Sequence, residues 1–341
     1  MLNISFWYYL LGSMSISQSS AAPKYLQEDE IVPECKDLLS TLPKEKGWAE
    51  PHLYKYQGFW YPAWQFQGVL ECQQHFQAQD TDILLVSAPK CGTTWLKALA
   101  FTIINRNSHS IDDPGKHPLF YNNPHDLVHQ IELESHIDNP IFNPSSPRLF
   151  ATHLPYISLP KCAKNSECKL VYICRNPKDT FISLWHFMNE LRLNHLASIS
   201  LEVAFDKFCR GVSIFGPFWD HVSDYWEESR KRPNEVLFLK YEEMKEDPNL
   251  HVKRLAEFFG VPFSREEEAS GVEDGIIKLC SFENLSKLKV NKDGKLPSGV
   301  ENKTFFRQGG VGDWKNYMSP VMVERLDCLT EEKFQGSGLL L

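Results

Sequence analysis

Four short apolar runs punctuate an otherwise mixed chain: Ile83–Ser87, Leu149–Thr152, Leu170–Cys174 and Val236–Lys240. None alternates apolar with polar, which is the pattern of strands buried on both faces of a parallel sheet. Helical periodicity follows several of them. Thr94 to Asn105 is one such stretch, and Lys178 to Arg192 is another, with Pro177 suited to its first turn. Asn249 to Phe259 is a third, opened by Asp247-Pro248 and closed by Gly260, and a last helix runs from Pro320 to Phe334 ahead of Gly336. This alternation predicts an α/β fold, a single domain over 31–341 with a central, mostly parallel sheet flanked by helices and ligands at the strand carboxyl ends. Ser108 to Pro147, rich in Pro, Asn and His, reads as a long surface excursion of the kind that covers sites. Lys287 to Lys303 is polar, basic and Gly/Pro-containing, and predicts a mobile loop. Residues 1–30 read as a flexible leader. The apolar stretch Ile4 to Leu11 has no Lys or Arg before it and is far shorter than the ~20 residues that span a bilayer. Met14 could initiate translation equally well.

A net charge of −8 provides no global field to recruit nucleic acid or an anionic membrane, so any anionic ligand needs a local cluster. Nine scattered cysteines without a CxxC pair fit reduced thiols in a reducing compartment, the cytoplasm. Chemistry gathers where the apolar runs end. After the first comes Ala88-Pro89-Lys90-Cys91-Gly92-Thr93-Thr94-Trp95, a tight turn into a helix. Such a turn aims N–H groups and the positive end of the helix dipole at one point, a phosphate cradle. Its lysine precedes the glycine, whereas the P-loop signature sets lysine just before Ser/Thr. His153 follows the second run, placed for general-base work. Arg175 follows the third, where a magnesium nucleotide enzyme would more often carry Asp, and Ser183 lies two helical turns on. Arg suits bidentate phosphate binding. A further cluster, Arg307-Gln308-Gly309-Gly310-Val311-Gly312-Asp313-Trp314-Lys315-Asn316, adds a second guanidinium beside backbone that a ligand can approach closely.

Taken together these clusters resemble the cytosolic sulfotransferase family, and its plant soluble branch in particular. The resemblance runs from about Phe59 to Leu339. Its plant character lies in Tyr56-Gln57-Gly58-Phe59-Trp60, Asn123-Pro124-His125-Asp126-Leu127 and Phe215-Gly216-Pro217-Phe218-Trp219. The resemblance implies a P-loop-NTPase-like sulfotransferase fold and an enzyme of plant secondary metabolism. That enzyme moves a sulfuryl group from 3′-phosphoadenosine 5′-phosphosulfate (PAPS) to the hydroxyl of a small, largely apolar acceptor, without a metal. Flavonoids, hydroxyjasmonates and steroids are the acceptor types in view. By the same resemblance Lys90, Cys91, Gly92, Thr93, Thr94 and Trp95 cradle the phosphosulfate, with Lys90 neutralising the leaving phosphate oxygen. Arg175, Ser183, Arg307, Gln308 and Gly309 surround the 3′-phosphate. Trp95 and Phe282 sandwich the adenine beside Tyr241, and Cys280, Ser281, Phe282, Glu283, Asn284 and Leu285 form the adenine segment. His153 is the catalytic base.

Three departures stand out: Gln308 replaces the family's lysine, Ala151 stands where many animal members carry lysine, and Ser319-Pro320 interrupts a family dimer motif whose ends are Lys315 and Glu324. Proline removes an N–H, so the expectation is a monomer or weak dimer. Phe59, Trp60, Phe66, Trp185 and Phe187 are candidates for an apolar acceptor slot. The alternatives are a P-loop kinase or NTPase and a non-catalytic nucleotide-binding relative.

Overall fold

The structure, a computed structural model, describes residues 31–111, 115–133, 147–192 and 197–341. The leader over 1–30 lies outside the described residues, as does much of the 108–147 excursion.

All four apolar runs are strands. After a small antiparallel sheet of β1 (Lys44–Lys46), β2 (His52–Tyr56) and β3 (Phe59–Pro62), the chain forms β4 (Ile83–Val86), β5 (Leu149–Thr152), β6 (Lys169–Cys174) and β7 (Val236–Lys240). These last four pair in parallel in the order β5-β4-β6-β7, with Leu85 opposite both Ala151 and Val171. Their side chains alternate between two cores. Leu84, Val86, Phe150, Leu170, Tyr172 and Phe238 enter one, and Ile83, Leu85, Leu149, Val171, Ile173 and Leu239 enter the other. Burial on both faces is why the runs carry no polar alternation.

From β4 the chain places β5 on one side and β6 on the other. The direction of winding therefore reverses at β4, and the crevice beyond the carboxyl ends of β4, β5 and β6 is open for a ligand. Helices Thr93–Asn105, Pro177–Leu191, Pro248–Phe259 and Pro320–Phe334 form within one residue of their expected starts. Pro320 opens the last helix, with Ser319 as its cap, so the break in the dimer motif is a helix start.

The Lys287–Lys303 segment is not an irregular loop. It carries a helix over Lys289–Asp293 and the start of a 3-10 turn over Asn302–Phe305, held by buried Asn291 and Asn302. Asn291 donates to the Leu285 carbonyl at 2.8 Å, and Asn302 to the Val290 carbonyl at 3.0 Å. Two amides that close turns locally outweigh the polar composition.

Candidate active site

A cavity of about 290 Å³ opens at the carboxyl ends of the parallel strands. It is lined by Lys90, Gly92, Thr93, Thr94, Trp95, His153, Arg175, Ser183, Tyr241, Cys280, Ser281, Phe282, Leu285, Arg307, Gln308 and Gly309. The candidate residues from four strand ends and two distant segments thus converge on one space.

Gly92 caps the Thr93–Asn105 helix at φ 107°, and no side chain caps that N-terminus. A Cβ on Gly92 would stand 2.7 Å from Tyr241 Cδ2, so only glycine fits. Lys90 holds φ 70°, a conformation that costs a non-glycine residue energy and that sets its side chain into the cavity. Its Nζ lies 4.0 Å from the Phe187 ring centroid. Burial, with help from Arg175 and Arg307, brings the Lys90 pKa down to about 7.

His153 is fixed from three directions. Its Nδ1 lies 2.7 Å from the Ser87 carbonyl. A carbonyl only accepts, so Nδ1 carries the proton and Nε2 keeps its lone pair. The His153 N–H donates to Glu132 Oε1 at 2.8 Å, and its carbonyl accepts from His221 Nε2 at 3.0 Å. The other nitrogen of His221 therefore accepts from the Tyr172 hydroxyl at 2.9 Å. Burial above all, then Lys97, His221 and Lys90, lowers the His153 pKa to about 3. The ring is neutral across the physiological range.

Arg175 Nη2 donates to the Gly310 carbonyl at 2.6 Å, and its guanidinium carbon lies 4.7 Å from the Tyr241 ring centroid. Tyr241 donates to the Gly309 carbonyl at 2.8 Å. Asp179 accepts from Gly312 N–H at 2.7 Å and Trp314 N–H at 3.1 Å, which pins the glycine-rich loop to the Pro177–Leu191 helix. Arg307 is paired with Asp313 at 2.7 Å. Both Arg175 Nε and Arg307 Nε are buried without a hydrogen-bond partner among the described residues. Buried donors of this kind call for an acceptor.

Three candidates stand off the cavity. Cys91 is buried behind the loop, 3.6 Å from Thr180 Oγ1. Glu283 is exposed and paired with Lys287, and Asn284 donates to the Leu279 carbonyl at 2.7 Å. The apolar slot is also built differently. Of the five aromatics in view only Phe187 lines the cavity; Phe59, Trp60 and Phe66 pack in the core, and Trp185 bonds the Ile199 carbonyl. Trp64, Leu133, Leu191, Ile214, Phe215 and Phe305 form the apolar wall instead. His125 and Lys245 line the cavity as well; His125 stands in the plant-type Asn123–Leu127 motif, which gave it no role, and Lys245 carries no local sequence signal.

A family model described as the sulfotransferase domain matches residues 80–338. The chain belongs to the sulfotransferase family. Cytosolic sulfotransferase 12 of Arabidopsis thaliana is 49% identical over 327 residues, covering 95% of this chain and 99% of its own. Cytosolic sulfotransferase 13 of the same plant is 51% identical over 315 residues, covering 92% of this chain and 95% of its own. Among solved structures, an Arabidopsis thaliana protein provisionally described as a steroid sulphotransferase aligns with a TM-score of 0.73 at 42% identity, over 94% of this chain and 100% of that one. Mouse sulfotransferase SULT7A1 complexed with PAP aligns with a TM-score of 0.63 at 31% identity, over 84% of this chain and 95% of that one. The sulfotransferase is thus of the plant cytosolic kind, and the kinase or NTPase alternative is not favoured. The relatives' names agree with the cytoplasmic expectation. Among the described residues of this sulfotransferase no helix is long and apolar enough to cross a membrane.

Proposed function

We propose that this sulfotransferase takes PAPS as donor and sulfates the hydroxyl of a small, largely apolar acceptor. The observation that carries the reading is one cavity holding an uncapped helix N-terminus, a lysine, two arginines with unpartnered buried nitrogens and a histidine with a free Nε2. These groups fit an anion with charge at both ends. The N-terminus of the Thr93–Asn105 helix and Lys90 would hold the phosphosulfate end. Arg175, Ser183, Arg307 and Gly309 would hold the 3′-phosphate, and Trp95 and Phe282 the adenine. Gly309 suits this place: a Cβ there would lie 2.3 Å from Phe282 Cδ2.

When bound, PAPS supplies an activated sulfuryl group. His153 Nε2 takes the acceptor's hydroxyl proton, and its Nδ1–H stays on the Ser87 carbonyl and stabilises the imidazolium that forms. Lys90, cationic, balances charge that develops on the leaving phosphate oxygen. Trp64, Phe187, Ile214, Phe215 and Phe305 would exclude water and grip an apolar ring system beside His153.

Incubation of the wild type with labelled PAPS and a panel of flavonols, hydroxyjasmonates, sterols and sugar alcohols tests this directly. Transfer to one of the apolar hydroxyl classes is expected. Transfer confined to the sugar alcohols, or to none of the panel, contradicts the acceptor reading.

A further inference from the structure

Behind the cavity wall lies a buried lysine to which the chemistry above gives no part. Lys97, one turn into the Thr93–Asn105 helix, is 1% exposed and does not line the cavity. Its Nζ is 3.1 Å from His125 Nδ1, and His125 Nε2 is 2.9 Å from Thr94 Oγ1. His125 enters from the Pro124–Leu127 turn, held by the Asn123 cap. Its ring packs against Phe305 at 4.3 Å centroid distance, the two planes tilted by 32°.

The direction of this chain follows from which atoms can donate. A lysine ammonium has donors and no lone pair, so His125 Nδ1 accepts. Burial, with Lys97 next, lowers the His125 pKa well below its ordinary value, so the ring holds one proton. That proton sits on Nε2 and is donated to Thr94 Oγ1. The Thr94 hydroxyl hydrogen must then point elsewhere, and no carbonyl or carboxylate among the described residues accepts it. Thr94 lines the cavity at the uncapped helix N-terminus.

We propose that Lys97, acting through His125, is a positioning residue that turns the Thr94 hydroxyl into a committed donor toward the phosphosulfate of the bound donor. The proposal rests on the donor reading above. It also gives the sulfotransferase a lysine behind the reaction centre although Ala151 occupies the position where many animal relatives carry one. Without Lys97, His125 loses the partner that fixes its tautomer. A His125 that accepts at Nε2 would take the Thr94 proton and withdraw it from the cavity.

Two measurements test this without turnover. Side-chain 15N spectra of His125 should show Nε2 protonated and Nδ1 bare in the wild type, and loss of that single tautomer in Lys97→Met. The PAPS dissociation constant, measured by calorimetry without acceptor, should rise about tenfold in Lys97→Met, the worth of one hydrogen bond to a charged group. Lys97→Arg should recover most of that loss. On a Thr94→Val background Lys97→Met should add less than about twofold, since coupled residues are not additive. If Lys97→Met does not fold, His125→Phe breaks the same relay and should give the same pattern. A protonated Nδ1 in the wild type, or an equal cost of Lys97→Met on both backgrounds, overturns the relay. A wild type that binds no PAPS contradicts the donor reading instead.

Discussion

At the scale of single residues, Lys90 has the most exposed consequence. Burial and two nearby guanidiniums bring its pKa to about 7, so the free enzyme holds a mixed population of charged and neutral lysine near neutrality. In the role proposed for Lys90, only the charged form grips the donor. The kcat/KM for PAPS should therefore be high below pH 7 and fall as pH rises through it, because this parameter reports the free enzyme. In Lys90→Arg the falling limb should vanish, whatever the loss in rate, since Arg stays charged; a limb that persists assigns it to another group. Gln308 is exposed and lines the cavity beside Arg307. Gln308→Lys should lower the KM for PAPS, and an unchanged or higher KM refutes the view that this position weakens the grip. Lys90, Arg175, Arg307 and His153 were legible because each stands at a strand end or in a glycine-rich run. Lys97 and Trp64 were not, and His125 was visible only as part of the plant-type Asn123–Leu127 motif, with no role attached. They lie within helices or irregular segments, where a lysine or histidine looks like any solvated or core side chain until the fold juxtaposes it.

At the scale of elements, the strands of the parallel sheet were readable almost to the residue because both faces are buried. The antiparallel sheet of β1 to β3 was not. Lys44-Glu45-Lys46 is polar, and the aromatics of β3 read as a ligand slot although they fill the core. The join between the Pro177–Leu191 helix and the glycine-rich loop is equally invisible in sequence, because it depends on one buried carboxylate. Asp179 uses both oxygens, one on Gly312 N–H and one on Trp314 N–H. Asp179→Asn keeps shape but offers only one acceptor. It should weaken PAPS binding by about tenfold through loss of a charge-assisted bond, while thermal unfolding moves by only a few degrees. Unchanged PAPS binding in titration calorimetry contradicts the view that Asp179 seats the loop.

At the scale of the whole molecule, the α/β class and the site at the strand carboxyl ends followed from the alternation of apolar runs with helices. How deeply the fold buries its histidines did not, since burial depends on distant segments. Burial pushes His117 and His221 down to about 4 and His153 to about 3. Unfolded histidine titrates near 6.5, so below that pH the unfolded chain binds protons the native protein lacks. Stability is full above pH 6.5 and falls as pH drops toward 4, by about 1.4 kcal/mol per pH unit for each such histidine. Asp224, lifted to about 6 chiefly by burial, opposes this as a single group. The urea midpoint should drop clearly between pH 7.5 and 5.5; a constant midpoint contradicts the neutral buried state. The central claim is that separate strand ends hold separate duties, donor grip on β4 and β6 and proton removal just past β5. His153→Ala tests it most directly, by pairing turnover with the PAPS dissociation constant measured without acceptor. Turnover should fall by about 10²-fold or more, the usual worth of a positioned base, with the dissociation constant within about twofold of wild type. Full turnover with normal PAPS binding would contradict the account.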